Sequence, residues 1–256
     1  MKKTVLLAGK STELLEELAR EYLKAGYCVA ASLDADRASL AKYTEPGQSE
    51  ENSEAAPGKT DKAAQSASSD TPSKGNRAVN PVLAFELNRR SPLSARSFVL
   101  RTVTRFGGID EAVVLNTAEG ENRPLHELPA AAIEEPVDNA VKGSFFILRE
   151  LLSHFWERKA GLLSLVSTSY GSEILTPLDA AAAGSFRALG GSIFTYYENE
   201  PITVNGFESQ SSKYDDFARF VISTNRDRGS KSHGKWFRHS ERGGILAGIS
   251  FSPGKR

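Results

Sequence analysis

The segment TVLLAGKSTELLEELAREYLKAGYCVAASLD (Thr4–Asp34) decides the fold. It opens with a short apolar run, continues as an amphipathic stretch in which leucines recur at helical spacing, and closes with a second apolar run. Ser11 or Thr12 can cap the start of the helix, and Gly26 stands where a helix commonly ends. A strand, a helix and a strand in this order form a βαβ unit, whose two strands are parallel.

The same alternation continues along the chain. It predicts further strands at Pro81–Leu87, Ala112–Asn116, Leu162–Thr168 and Ile202–Phe207. It predicts helices at Ser91–Phe106, from about Ala131 to Lys159, at Leu178–Tyr197 and at Tyr214–Ile222. We therefore expect an α/β protein: a single doubly wound, Rossmann-like domain over residues 1–256, with a parallel sheet of about seven strands.

Residues 45–76 interrupt this pattern. They contain no Ile, Leu, Val, Phe, Tyr or Trp and are dominated by Ser, Glu, Lys, Ala, Gly and Pro. Ordering a backbone costs about 1–2 kcal/mol per residue, and such a composition buries too little apolar surface to offset that cost. We expect a disordered, low-complexity insertion within the domain, since the strand pattern resumes soon after it.

Composition and charge limit the cellular location and the partners expected for the protein. Lys plus Arg and Asp plus Glu are both 32, so the net charge is zero and no global attraction to nucleic acid or anionic lipid is expected. Cys28 is the single cysteine, which excludes an intramolecular disulfide. The apolar run near the N-terminus is too short for a signal peptide or a membrane span. We expect a soluble cytoplasmic protein that binds neither membrane nor nucleic acid.

Three stretches carry a resemblance to a known family: RFGGIDEAVVLN (Arg105–Asn116), VDNAVKGSFF (Val137–Phe146) and GLLSLVSTSYG (Gly161–Gly171). Together they resemble the central half of a short-chain dehydrogenase/reductase, and the likeness extends over nearly the whole chain. The resemblance implies a Rossmann fold, an NAD(P) cofactor and oxidoreductase chemistry on a carbonyl or alcohol. It must be tested position by position.

The cofactor positions match this family only in part. Its Thr-Gly-x-x-x-Gly-Ile-Gly turn corresponds to AGKSTELL (Ala8–Leu15), which keeps Gly9 but has Glu13 and Leu15 in place of the other two glycines. Glu13 would bring negative charge towards a pyrophosphate, although an acidic first turn also stabilises a helix by about 0.3–1 kcal/mol. The resemblance implies weaker cofactor contacts at Asp34, Glu86 and Asn116. We expect no NAD(P) binding, or weak binding only.

The catalytic positions match less well. The family uses a serine after the fifth strand, then a tyrosine that transfers the proton, and a lysine one turn later that lowers the tyrosine pKa. The serine position falls on Ser167 or Thr168, the tyrosine position on Asp179 and the lysine position on Ala183. No tyrosine of the chain is followed four residues later by a lysine. The family's helix asparagine corresponds to Ala140, with Asn139 one residue away.

Two hypotheses stay open. The first is a pseudoenzyme of this family with a structural, regulatory or binding role; the missing tyrosine, lysine and glycines favour it. The second is a divergent NAD(P)-dependent oxidoreductase. No alternative site competes, because His126, His154, His233 and His239 lack metal-ligand spacing and no metal site is expected.

Two further expectations concern the assembly of the protein and a basic stretch of its sequence. The helix Ser144–Trp156 is more apolar than one buried stripe requires, and Asp179–Ser185 is a run of small residues. We expect a homo-oligomer, or a hetero-oligomer with a related subunit, built on these helices. The stretch Arg226–Arg242 is predicted to be a solvated loop, in preference to a contact patch for protein or nucleic acid.

Overall fold

The computed structural model describes residues 2–33, 80–117, 123–168, 176–228 and 232–239. The predicted insertion at 45–76 lies outside these ranges, as does Asp34.

Seven strands form one sheet. They are β1 (Thr4–Ala8), β2 (Cys28–Ser32), β3 (Val82–Phe85), β4 (Glu111–Thr117), β5 (Leu162–Thr168), β6 (Thr203–Ser209) and β7 (Trp236–His239). Every neighbouring pair is parallel, and the order is β3-β2-β1-β4-β5-β6-β7. The order reverses between β1 and β4, as in a doubly wound sheet. The predicted α/β class and Rossmann-like topology are confirmed.

In the described ranges, six α-helices cover the two faces of the sheet. They are α1 (Glu13–Lys24), α2 (Pro92–Phe106), α3 (Ala130–Val137), α4 (Gly143–Arg158), α5 (Pro177–Tyr196) and α6 (Tyr214–Arg228). The core between the sheet and α1 and α6 includes Leu15 and Phe217. The core on the other face, under α2, α4 and α5, includes Phe98, Leu151 and Phe186. The site described below lies where these two layers meet the carboxyl ends of the strands.

Local sequence explains where the helices begin and end. α2 starts with Pro92 directly after Ser91, whose hydroxyl accepts from the backbone N–H of Ser94 at 3.2 Å. α1 is followed by Gly26 at φ +85°, which ends the helix as predicted. Thr12 stands at the start of α1, but its side chain makes no capping hydrogen bond.

Two parts of the chain differ from the prediction. The long helix expected from Ala131 to Lys159 contains a π-helical turn, Asp138–Lys142, between α3 and α4. The expected solvated loop Arg226–Arg242 is wrong in its described part, because α6 continues to Arg228 and Trp236–His239 forms β7. The Trp236 ring packs so closely on Gly206 and Gly190 that a Cβ there would lie 2.1 Å and 2.8 Å from it, respectively. This apolar contact outweighs the surrounding basic residues and draws the stretch onto the sheet.

Candidate functional site

A small crevice opens at the carboxyl ends of β1 and β4, where the strand order reverses. Its walls include Gly9, Asn116, Asn139 and Ser144, and its volume of about 10 Å³ matches one water molecule. Ligands of doubly wound sheets bind at this point. The structure therefore brings together three residues that the sequence singled out: Gly9, Asn116 and Asn139.

Gly9 is fixed by its neighbours in the fold. Its N–H donates to Ser32 Oγ and its carbonyl accepts from the same hydroxyl, both at 2.9 Å. A Cβ at this position would lie 2.8 Å from Leu115 Cβ, closer than real side chains approach. Packing between β1, β2 and β4 is thus sufficient reason for a glycine, with or without a ligand.

The first turn of α1 presents two opposing features. The hydroxyls Ser11 Oγ and Thr12 Oγ1 are buried and have no hydrogen-bond partner among the described residues. They are donors that an anion at a helix N-terminus could accept from. Glu13, however, is exposed at the first position of the same helix, and Leu15 is fully buried beneath it. The hydroxyls fit a phosphate group, whereas the carboxylate does not.

The start of α5 explains Asp179, the residue at the family's tyrosine position. Thr176 precedes the helix, and its Oγ1 accepts from the Asp179 N–H at 3.2 Å and donates to Asp179 Oδ2 at 2.8 Å. This exchange satisfies one of the backbone donors that a helix start leaves unpaired. Asp179 is buried in this arrangement. Ala183, at the lysine position one turn further on, offers a methyl group only.

Arg187, the cation nearest to that lysine position along α5, is held elsewhere. Its guanidinium forms an ion pair with Glu208 of β6 and lies over the Trp236 ring, 5.0 Å from its centroid. Arg238 of β7 also approaches Glu208, with Nε 3.3 Å from Oε2. Arg187 therefore ties α5 to the β6–β7 edge.

Asn116 and Ser167 lie one residue before the ends of the neighbouring strands β4 and β5, directly opposite each other in register and on the α5 side of the sheet. Asn116 Nδ2 donates to Ala182 O at 3.0 Å, which ties β4 to α5. Ser167 is half-buried, and within the described part of the chain its hydroxyl has no hydrogen-bond partner. At this predicted catalytic position the hydroxyl of Ser167 is therefore available to a ligand.

Two predicted site residues remain: Asn139, which lines the crevice, and Glu86, which does not. Glu86 is exposed just after β3. Asn139 lies in the π turn and lines the crevice beside Ala140, because the i→i+5 bonds of such a turn place more residues on each turn. Thr168, the alternative to Ser167 for the serine position, follows Ser167 directly, and its buried hydroxyl has no partner in the described ranges.

Most of the shifted pKa values belong to the opposite end of the sheet. Burial, followed by the charge of Glu111, raises the pKa of Tyr22 well above its usual range. Burial and a hydrogen bond to Glu111 likewise raise the pKa of Tyr27. Burial and the nearby Arg158 charge lower the pKa of His154. Strong shifts often mark active sites, but these three groups surround the amino ends of β1 and β4 and have fold-stabilising contacts.

Two further features are absent from the described ranges. No helix there is long and apolar enough to cross a membrane. No group of three or more His, Cys, Asp or Glu side chains there is placed to hold a metal ion.

Comparison with known proteins gives structural neighbours only. No family model matches the chain, and no curated protein matches its sequence. Among solved structures, a short-chain dehydrogenase/reductase from Serratia marcescens superposes with a TM-score of 0.68 at 15% identity, covering 93% of this chain and 96% of that one. The 3-ketoacyl-(acyl-carrier-protein) reductase from Brucella melitensis, complexed with NADH, gives 0.69 at 14%, covering 92% and 96%. ElxO with NADP bound gives 0.68 at 14%, covering 93% and 97%.

These neighbours establish the fold. The chain has the fold of the short-chain dehydrogenase/reductases, so the resemblance expected from the sequence is confirmed at that level. A fold shared at such low identity does not by itself carry an activity.

Proposed function

We propose that this protein is a non-catalytic member of the short-chain dehydrogenase/reductase fold class, with a binding, structural or regulatory role. One observation carries the proposal: the family's tyrosine position holds Asp179, whose carboxylate is bonded to Thr176 at the start of α5, and the lysine position holds Ala183. The helix that should deliver the proton is instead organised around its own N-terminus.

The chemistry of hydride transfer supports this proposal. A carbonyl that accepts a hydride needs a proton on the developing alkoxide, and a positioned acid contributes about 10²–10⁴-fold. Asp179 already accepts a hydrogen bond from Thr176, and Ala183 has no polar group to orient a ribose. Glu13 adds negative charge where a pyrophosphate would meet α1. We propose that NAD(P) binds weakly or not at all.

Calorimetric titration with NADH and NADPH, followed by a reduction assay on ketones, aldehydes and acyl thioesters, tests the proposal. We expect a dissociation constant of about 1 mM or weaker and no oxidation of either cofactor. Glu13→Gln removes the carboxylate and keeps the side-chain length, so it should bind the cofactor more tightly than the unaltered protein. Micromolar binding with turnover that Ser167→Ala abolishes would contradict the proposal.

A divergent NAD(P)-dependent oxidoreductase acting on a carbonyl or alcohol is the second candidate. Two observations favour it: the Ser167 hydroxyl is unpartnered in the described chain, and so are the hydroxyls of Ser11 and Thr12 at the start of α1. Serine could orient a carbonyl, and the two hydroxyls could donate to a phosphate. The same titration and assay separate the two candidates, because only this one requires turnover.

Assembly forms part of the proposal. A groove of about 410 Å³ runs between the outer faces of α4 and α5, and its walls include Phe145, Trp156 and Tyr196, all exposed. On α5, Gly184 and Gly191 face open space, although glycine inside a helix costs about 1 kcal/mol relative to alanine. Both features suit close approach of another subunit. We therefore propose a homo-oligomer, or a hetero-oligomer with a related subunit, located in the cytoplasm.

Light scattering tests this assembly. Phe145 and Leu125 are both 52% exposed, but Leu125 lies outside the groove. Phe145→Asp should convert the oligomer to monomer at micromolar concentration, whereas Leu125→Asp should leave it intact. A monomeric unaltered protein with no co-purifying relative would count against the proposal.

A further inference from the structure

The outward face of α2 combines apolar and positively charged side chains. Leu93 and Leu100 are 72% and 54% exposed. Helical spacing places Ser97 and Thr104 on the same stripe, with Arg96 on one side of it and Arg101 and Arg105 on the other. We propose that this face, the α2 surface, docks an acidic amphipathic segment of a partner protein.

The charge of the α2 surface is locally unbalanced. Within Pro92–Phe106 the chain has three arginines and no Asp or Glu, although the net charge of the whole chain is zero. Arg101 lies over the Phe85 ring at 5.8 Å, and Arg105 Nη2 donates to Asn80 O at 3.4 Å. Neither contact neutralises a guanidinium. Arg96, Arg101 and Arg105 form no ion pair with any carboxylate of the described chain.

Arginines elsewhere on the molecule behave differently. On α6, Arg219 pairs with both Asp215 and Asp216, and on α4, Arg158 pairs with Asp110 at 3.3 Å. On α2, by contrast, three arginines without a carboxylate partner in the described ranges flank two exposed leucines. Carboxylates that flank an apolar stripe would complement it in both charge and polarity.

The pattern favours an acidic protein segment over other occupants. A second copy related by a two-fold axis through α2 would set arginines opposite arginines, which is repulsive. The large exposed apolar side chains on α2 are leucines, whereas single-stranded nucleic acid binds chiefly on aromatic side chains. Leu93 and Leu100 are seven residues apart, which is the anchor spacing of a helix bound in a groove. The chain's own acidic run in 45–76 has no large apolar residue to cover them.

The test is a binding titration on the full chain with a synthetic probe. The probe is a fluorescent helical peptide of about 20 residues, with leucines on one face and glutamates on both flanks. We expect saturable binding that weakens as salt is added. Arg96→Glu/Arg101→Glu/Arg105→Glu should weaken binding by about tenfold or more. Leu93→Ser/Leu100→Ser, which retains every charge, should weaken it by about three- to tenfold.

A matched control makes the test decisive. Lys213→Glu/Arg226→Glu/Arg228→Glu changes the net charge equally, at exposed residues in and beside α6, and should bind the peptide like the unaltered protein. An equal loss in this control, or no binding at about millimolar peptide, would overturn the proposal. So would vesicles of phosphatidylserine and phosphatidylcholine that bind through the α2 arginines when the peptide does not, since the surface would then recognise lipid.

Discussion

The two ends of the sheet differ in the hydrogen bonding of their polar groups. At the amino end, Glu111 is buried at the start of β4 and accepts hydrogen bonds from Tyr27 Oη at 2.7 Å and Tyr22 Oη at 3.4 Å. Lys3 Nζ lies 3.4 Å from the same carboxylate. Asn225 Nδ2 of α6 donates to Ser164 Oγ at 2.9 Å nearby. Apart from the exposed Lys3, these polar groups are buried or partly buried, and each has a partner.

At the carboxyl end, hydroxyls remain without partners. Ser11 Oγ, Thr12 Oγ1 and Thr168 Oγ1 are buried and unbonded in the described part of the chain. The Ser167 hydroxyl, on the opposite face of the sheet from Thr168, is unbonded there too. Buried polar groups in proteins are nearly always hydrogen-bonded, to protein or to water. The amino end therefore carries stability, whereas the carboxyl end has donors to spare for a ligand or ordered water.

The largest expected effect is at the amino end. Glu111→Ala removes the acceptor of the buried Tyr22 hydroxyl and the half-buried Tyr27 hydroxyl, and the partner of Lys3. Because bonds to a charged acceptor are strong and the tyrosines would be left unpaired, the free energy of unfolding should fall by about 2–4 kcal/mol. Urea denaturation measures this free energy of unfolding. Glu198→Ala, at an exposed position just after α5, is the control and should change it by less than about 0.5 kcal/mol. A loss of stability no larger than the control's would show that the polar groups at the amino end do not stabilise the fold.

The next effect tests whether Gly9 serves the fold or a ligand. Gly9→Ala places a Cβ 2.8 Å from Leu115 Cβ and 3.1 Å from its carbonyl oxygen. Backbone must shift, so we expect a loss of about 1–3 kcal/mol in the absence of any ligand. Gly184→Ala, in open space on α5, should instead stabilise by up to about 1 kcal/mol. An unchanged melting temperature for Gly9→Ala would mean that the glycine is kept for ligand approach.

The fold was predictable because burial leaves a local periodicity. Apolar runs such as Leu162–Thr168 lie in a sheet covered on both faces, and the leucines of α1 all point to one core. β7 was missed because its burial depends on Gly206 and Gly190, which are distant in sequence from Trp236. The π turn Asp138–Lys142 was missed because apolar spacing does not encode an i→i+5 bond.

The sequence predicts the positions of the candidate site residues better than it predicts what those residues do. Thr176-Pro177-Leu178-Asp179 has the spacing of a capping box, so the capping role of Asp179 could have been read from sequence. The bond from Asn116 to Ala182 O joins residues far apart in the chain and leaves no sequence signal. The pairing of Arg187 with Glu208 likewise depends on how α5 lies over β6.

A third prediction compares the two ends on a single strand. Ser164 and Thr168 both lie on β5 and, being four residues apart, face the same side of the sheet. Ser164→Ala removes the acceptor of Asn225 Nδ2 and should destabilise by about 1–2 kcal/mol. Thr168→Val removes a hydroxyl that has no partner, so it should be neutral or stabilise by up to about 1 kcal/mol. Equal destabilisation by both, measured by urea denaturation, would show that Thr168 holds a bound water.

The smallest effect concerns pH at the amino end. Burial and the Arg158 charge lower the pKa of His154, and its neutral Nε2 accepts from the Ile109 N–H at 3.3 Å. Below the ordinary histidine pKa of about 6.5, the unfolded chain therefore binds more protons than the folded one, so stability should fall as the pH drops through the folded-state pKa. His154→Gln keeps an acceptor without titrating, and its melting temperature should depend less on pH between about 6.5 and 5. Identical pH profiles for the two proteins would mean that His154 stays as accessible to protons in the fold as in the unfolded chain.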